Sequence, residues 1–545
     1  MPLLRPRLPA WRWLAVGAAA LLLTMVTTEP LATASEKPES TDSTDGERCA
    51  DSGESLRYLV LFDEDTTRGQ ARREVKRACG KLSVYYAPIA VGIATSTDPQ
   101  FVDKIGPSRA FSAQAHRASE SGLGSAKRRI ADQQPPADLS TEDRSAEQWG
   151  LDVINARAAR ATSRTNEKVV VGVLDSGIDD QHPELAGVVD AKRSASCLDG
   201  KPDRSRKAWR PSTSVHGTHV AGTIAAADDH AGVVGVAPGV RLASIKVIDD
   251  NGRVDPEAAV CGLMWATKNH IRVTNSSFFV DTGPSSCITD DEFGVVREAI
   301  TRAADYATES GTLNIAAATN EAVNLSPATS DGDGCVALPA SVPSVMTVSA
   351  IDREGLKSGY SSYGLGVISL AAPGGDDGEC VLSTVPGGYS DTCGTSMAAP
   401  HVAGVAALLA AQRPDVGAAE LRKTLQSTAK QTDCPADYDR TGDGHQDAFC
   451  TGYRGYNSFY GHGVVDALAA IKALGAPPET AEDNASTITA STTGSAQQHR
   501  PDPARSGDDT DRGKPDEDRH VTEHRPVEDT VRTLTKQLDA VIQGR

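Results

Sequence analysis

Aromatic side chains are scarce in this chain. Phe, Trp and Tyr together make up 4% of its 545 residues. A core here cannot rest mainly on large rings, and close-packed Ala, Val, Leu and Ile must fill it. An excess of positive charge is missing too. Lys and Arg number 55 against 73 Asp and Glu, a net charge of −18, which excludes the basic face of a nucleic-acid binder and fits a soluble, self-repelling chain. Beyond residue 26 no stretch is long and apolar enough to span a membrane. The one early run, "LAVGAAALLLTMV" at 14–26, follows Arg5, Arg7 and Arg12 and precedes the small residues "ATA" at 32–34. This is the pattern of an export signal cut after Ala34, with a membrane anchor as the alternative. The expectation is a secreted, extracellular monomer with no stable membrane anchor and no nucleic-acid partner.

What is present fits that address. Exported chains can oxidise their cysteines, and there are ten. Cys49 and Cys79 lie near the N-terminus; the other eight lie between Cys197 and Cys450. The split suggests two separately stapled units. Sequence alone leaves connectivity open, although proximity favours Cys380–Cys393 and Cys434–Cys450, each short loop contributing about 3 kcal/mol in the chain-entropy model.

The length calls for two to four units. Residues 35–54 are polar and loose. From 55 to 106, "LRYLVLF" and "KLSVYYAPIAVGIAT" read as strands, and "RGQARREVKRAC" and "DPQFVDKI" as helices, a small α+β unit. Residues 107–146 are mostly polar and broken by Pro135-Pro136, an exposed linker. From 147 to 475, buried strands such as "VVVGVLD" alternate with helices such as "PEAAVCGLMWATKNH". That is an α/β body with a mostly parallel central sheet covered on both faces, three layers in all. Residues 476–545 turn to Pro, Thr, Ser, Asp and Arg and are expected to be disordered, ending in a short helical stripe that either docks or stays solvated.

In such a body, chemistry gathers at the carboxyl ends of the strands. Asp175 ends one strand and is costly to bury without a partner. His216, before Gly217 and Thr218, and Ser396, after "CGT", each open an apolar helix. Ser396 alone also reads as a plain N-cap. Taken together, an Asp can orient an imidazole that deprotonates a serine.

The blocks "LDSGID", "HGTHVAGTIAA" and "GTSMAAPHVAG", in that order, resemble the three signature blocks of the subtilisin-like serine peptidases, over roughly residues 147–475. The resemblance implies a secreted endopeptidase made as a zymogen, acting on polypeptides through an acyl-enzyme. Ser396 would be the nucleophile, His216 the general base and Asp175 its orienting carboxylate, with no cofactor for the chemistry. Residues 55–106 would be a propeptide that inhibits the enzyme intramolecularly until a cut in the linker. Asn320 in "NIAAATNEA" would be an oxyanion donor, with a turn residue as the alternative. The family usually has Gly where this chain has Thr319, and Thr is strained there if φ must be positive. Ser277, Phe278 and Phe279 in "TNSSFFVD" would border the substrate groove where the family reads Leu-Gly after the serine. Gly252 in "DNGRVD" would lie on the opposite edge, and Glu321 at the rim of the S1 subsite or simply in solvent. The resemblance further implies calcium held by Glu184 and Asp229 with the carbonyls of Ala227, Ala231 and Val233. Separately, Asp439, Thr441, Asp443, Gly444 and Asp447 fall near calcium-loop offsets but lack the closing Glu. Two other functions stay open: a processing protease of narrow specificity, which the bulk of Phe278-Phe279 would suit, and an inactive binding relative.

Overall fold

The computed structural model describes residues 49–120, 142–163, 168–281, 293–326 and 335–475. The expected export signal, most of the loose segment after it, residues 121–141 of the linker, Cys287 and the C-terminal tail lie outside the described residues. Among the described residues, no helix is long and apolar enough to cross a membrane.

The N-terminal domain is a four-stranded antiparallel sheet ordered β2-β3-β1-β4, from β1 (Leu56–Leu61), β2 (Gly80–Tyr86), β3 (Val91–Ser96) and β4 (Ala110–Phe111). Both faces of β1 are apolar, and both are used. Tyr58, Val60 and the adjoining Phe62 enter the domain's own core with Val75 and Phe101. Leu59 and Leu61 point the other way and join a core shared with the body. Period-two alternation thus splits one short run between two cores. The helix Arg68–Arg77 starts on a capping box between Thr67 and Gln70, and Cys49–Cys79 closes the domain. The unit extends beyond the boundary at 106 read from sequence. β4 pairs with β1, and Ala113–Glu120 is helical. A two-residue strand gives no periodic signal, and the helix is too polar to stand out from a linker.

The body holds a seven-stranded sheet, every pair parallel, ordered β11-β10-β9-β8-β5-β7-β6. Its strands are β5 (Val170–Asp175), β6 (Ala195–Ser196), β7 (Arg241–Lys246), β8 (Val273–Ser276), β9 (Leu313–Ala317), β10 (Met346–Ile351) and β11 (Ile368–Pro373). Val171 and Val173 face one core, with the helices His216–Ala225 and Thr395–Gln412. Val170 and Leu174 face the other, with Pro256–Lys268 and Gly294–Glu309. The three-layer α/β expectation holds. After β5 the chain crosses to the edge strand β6, steps back in to β7 beside β5, then passes to the far side of β5 for β8, so β5 sits where the winding reverses, the place where such sheets open a crevice.

The N-terminal sheet lies on the second of these helical layers. Arg57 reaches across to Glu257 (2.9 Å), Asp255 (3.1 Å) and Asp199 (3.3 Å). Arg117 also binds Asp255, at 2.7 Å, and Arg302 donates to the Phe62 carbonyl at 3.0 Å.

Candidate active site

Asp175, at the carboxyl end of β5, is fully buried. Its Oδ1 accepts the Ser176 N–H at 2.7 Å. Both of its oxygens approach His216 Nδ1, at 2.8 and 3.0 Å. His216 is the first residue of its helix, and the next, Gly217, is dictated by space. A Cβ there would lie 2.4 Å from the Gly177 carbonyl oxygen and 3.0 Å from Asp175 Oδ1, so any side chain would push the imidazole off the carboxylate.

Ser396 lies in the first turn of Thr395–Gln412. An antiparallel hairpin of β12 (Val381–Val385) and β13 (Gly388–Thr392) leads into that turn, and Cys380–Cys393 ties the hairpin's ends. The hairpin also anchors the histidine's helix: Ser383 Oγ and Thr384 Oγ1 donate to the carbonyls of His219 and Thr218, each at 2.8 Å. Ser396 Oγ donates to the Ser277 carbonyl at 3.3 Å, and Ser277 Oγ returns a bond to the Ser396 carbonyl at 2.8 Å. Asn275 Nδ2 holds that second hydroxyl. Long hydroxyl contacts of this kind are common before substrate tightens a site.

Asn320 follows β9. Its Oδ1 accepts both the N–H (2.9 Å) and the hydroxyl (2.8 Å) of Thr395. With the oxygen so engaged, the two N–H bonds of Nδ2 are left to face the turn, 3.4 Å from where a Cβ on Gly394 would stand. Thr395 was not singled out from sequence, although it stands inside the quoted serine block; only the folded distance reveals its part.

The groove residues divide. Phe278 is buried in the core with Val280, Phe293 and Leu338, which corrects its reading as a groove residue: after the end of β8 its ring turns inward. Phe279 is half-buried and Glu321 exposed. Gly252 sits in a tight turn at φ 76°, its N–H bonded to the Asp249 carbonyl. The two expected edges meet directly, for Asp281 N–H donates to the Val254 carbonyl at 2.9 Å.

Of the two calcium readings, one keeps a cation's chemistry. Glu184 is 3% exposed. Its Oε1 accepts the Tyr389 hydroxyl at 2.7 Å, while Oε2 is buried without a well-formed hydrogen bond, the N–H groups of Val233 and Ala227 standing near the carboxylate. Burial, with the charge of Asp229 added, pushes this carboxyl up to about 7. Asp229 itself is exposed and accepts the Ala231 N–H. In the second, the acidic loop is held by its own amides. Asp439 accepts the N–H groups of Gly442 (2.7 Å), Asp443 (3.1 Å) and Gly444 (2.7 Å), and Asp447 Oδ2 accepts those of Arg440 and Thr441. These carboxylates fold the loop. Thr441 Oγ1 lies 3.4 Å from both Asp439 Oδ1 and Asp447 Oδ1. Cys434–Cys450 brackets the loop, and with Cys380–Cys393 it matches the pairing favoured by proximity.

The model of the subtilase family matches residues 166–463. Subtilisin of Bacillus pumilus is 33% identical over 323 residues, 59% of this chain and 98% of that one. Subtilisin DY of Bacillus licheniformis is 36% identical over 282 residues, 52% and 90% of the two chains. Among solved structures, the epidermin leader peptide processing serine protease of Staphylococcus aureus superposes with a TM-score of 0.52 at 19% identity, over 78% of this chain and 99% of its own, a likeness of fold. The chain belongs to the subtilase family and is a subtilisin-like serine endopeptidase.

Proposed function

We propose that this protein is a secreted endopeptidase, made as a zymogen, that cleaves polypeptides through an acyl-enzyme on Ser396. The observation that carries the reading is the buried Asp175 carboxylate spanning His216 Nδ1 with both oxygens. That contact fixes the imidazole tautomer with its proton on Nδ1, leaving Nε2 to accept the Ser396 proton as Oγ attacks the substrate carbonyl. The imidazolium so formed is balanced by Asp175 and then protonates the leaving amine. Water repeats the sequence to release the acyl group. The oxyanion would be held by Asn320 Nδ2 and the N–H of Ser396, which opens a long buried helix whose dipole favours negative charge there.

The N-terminal domain is read as the inhibitor that matures away, supported by its own core and by the polar linker sequence that joins it to the body. The cut is expected between residues 106 and 147. Glu184 fits a stabilising calcium ion, since an anionic oxygen buried without a well-formed hydrogen bond is what a cation site offers. Asp229 and the carbonyls of Ala227, Ala231 and Val233 are the other proposed ligands.

The test is Ser396→Ala. Turnover should fall by several orders of magnitude, and the secreted protein should keep its N-terminal domain in the same chain. N-terminal sequencing of the active wild-type enzyme should begin within 106–147. Hydrolysis and maturation at normal rates in the variant would end the assignment. Phe279 favours a second reading, a processing enzyme of narrow preference, because it puts bulk where a small residue is usual beside the groove. Cleavage of a peptide library at a single motif would support that reading; broad cutting would support the first.

A further inference from the structure

The loop that carries Asn320 is held in a conformation its own sequence disfavours. Thr319 has φ of 77°, the left-handed region, where a β-branched residue is a true outlier. Such a conformation persists only where its surroundings over-determine it. Thr319 is 5% exposed. Its Oγ1 lies 2.8 Å from Ser362 Oγ, and its carbonyl accepts the Ser362 N–H at 3.1 Å. The same Ser362 hydroxyl accepts the Val323 N–H at 3.3 Å. Ala322 donates to the Tyr360 carbonyl and Tyr363 to the Val323 carbonyl, so the loop after β9 is zipped to residues 360–363. That segment is fixed from behind. The buried Lys357 ammonium donates to the carbonyls of Ser358 (2.9 Å) and Ser361 (2.8 Å), and the rings of Tyr363, Tyr438 and Phe459 surround it.

We propose that the Thr319–Ser362 hydroxyl pair is a positioning device for the oxyanion donor, holding the backbone left-handed at 319 so that Asn320 Nδ2 faces the developing oxyanion. The inference rests on the reading of Asn320 as that donor. Glycine would take this φ without help; threonine takes it because a fully buried serine, 43 residues further along the chain, grips both its side chain and its carbonyl. Neither residue needs to touch substrate.

The proposal predicts an epistasis that a merely structural serine would not show. Ser362→Ala should lower kcat by about tenfold to a hundredfold, as a displaced catalytic group does, with KM unchanged to within about twofold. In a Thr319→Gly background the same substitution should change kcat by less than about twofold, because glycine holds φ > 0 unaided. Inhibition by a peptide aldehyde, whose adduct with Ser396 carries the oxyanion, should weaken in step with kcat. Should Ser362→Ala fail to accumulate, Thr319→Val against Thr319→Ser carries the comparison: Val removes the hydroxyl at nearly constant shape and should lose kcat, and Ser should retain it. Asn320→Ala is run alongside. If it leaves kcat unchanged, both the donor reading and this proposal fall. If it lowers kcat while Ser362→Ala costs the same in both backgrounds, only the positioning role is overturned.

Discussion

The two sheets of this molecule are assembled from different materials. The N-terminal sheet packs rings against rings: Tyr58 meets Phe101 at 4.5 Å between centroids, and Phe62 meets Tyr85 edge-on at 5.6 Å. The body's sheet holds no ring on any strand. Its central helix, Thr395–Gln412, is buried along nearly its whole length by Ala, Val and Leu, and at Gly404 it lies so close to Val236 that a Cβ would stand 2.5 Å away. The body fills both faces of its sheet with its own residues. The N-terminal domain fills one face and borrows the other from the body's helices, with the Arg57 and Arg117 ion pairs reaching across the junction. A partner that completes only half of its core can fold against a template and still be separable from it, as the proposed maturation would require.

Three perturbations would break that contrast or sharpen it. Asn320→Ala strikes the body's chemistry alone. Its kcat should fall by roughly a hundredfold to a thousandfold with little change in KM, and docking of the N-terminal domain should be untouched; steady-state kinetics with size-exclusion of the zymogen reads both. Arg57→Ala does the reverse. It leaves the buried Glu257, whose carboxyl burial already pushes upward, without its nearest cation. Because Arg57 is itself partly exposed, the loss should fall below the full cost of breaking a buried pair. The N-terminal domain should then be released roughly tenfold faster on that arithmetic, with the mature enzyme's kcat unchanged. Identical release from wild type and variant would show that apolar contact alone holds the junction.

The smallest effect should come from Glu184. Its carboxyl titrates near 7 in the fold against an ordinary 4.5, so the folded state binds the extra proton. Without metal, stability should be greatest below 4.5 and fall as pH rises towards 7. Calcium, which binds the ionised form, should restore a few degrees of Tm most strongly at the alkaline end. Chelator should lower Tm and hasten autolysis of the mature enzyme while leaving its initial kcat intact. Glu184→Gln should flatten both dependences, and Asp229→Asn should weaken the response to calcium. A Tm indifferent to chelator at pH 8 would empty the site.

The body was legible because its signals are long: unbroken apolar strands, and blocks in which glycine abuts a polar side chain for steric reasons that Gly217 makes explicit. The N-terminal domain was legible except at β4, where two residues carry no period, and at the helix Ala113–Glu120, too polar to stand out from a linker. The direction of Phe278 was not, because a run leaving a strand can turn either ring inward. The strain at Thr319 was foreseeable as a condition, since threonine is unusual where φ is positive. Its remedy was not, for nothing in "SSYG" announces that Ser362 will stand beside a residue so distant in sequence. The acidic residues of 437–447 were visible as carboxylates, but sequence does not say whether such oxygens meet a metal or the loop's own amides.

That loop has a bearing on survival. Under the proposed function, the enzyme is dissolved among active copies of itself, and each exposed stretch of its own backbone is a candidate meal. To be cut, a segment must straighten and lend its amides to the attacker's groove. Between Cys434 and Cys450 those amides are already pledged: Asp439 and Asp447 hold five of them within the loop, and the disulfide shuts its ends. The acidic loop should accordingly resist self-digestion, and Asp439→Ala should expose a new nick between 439 and 447 in limited autolysis followed by mass spectrometry.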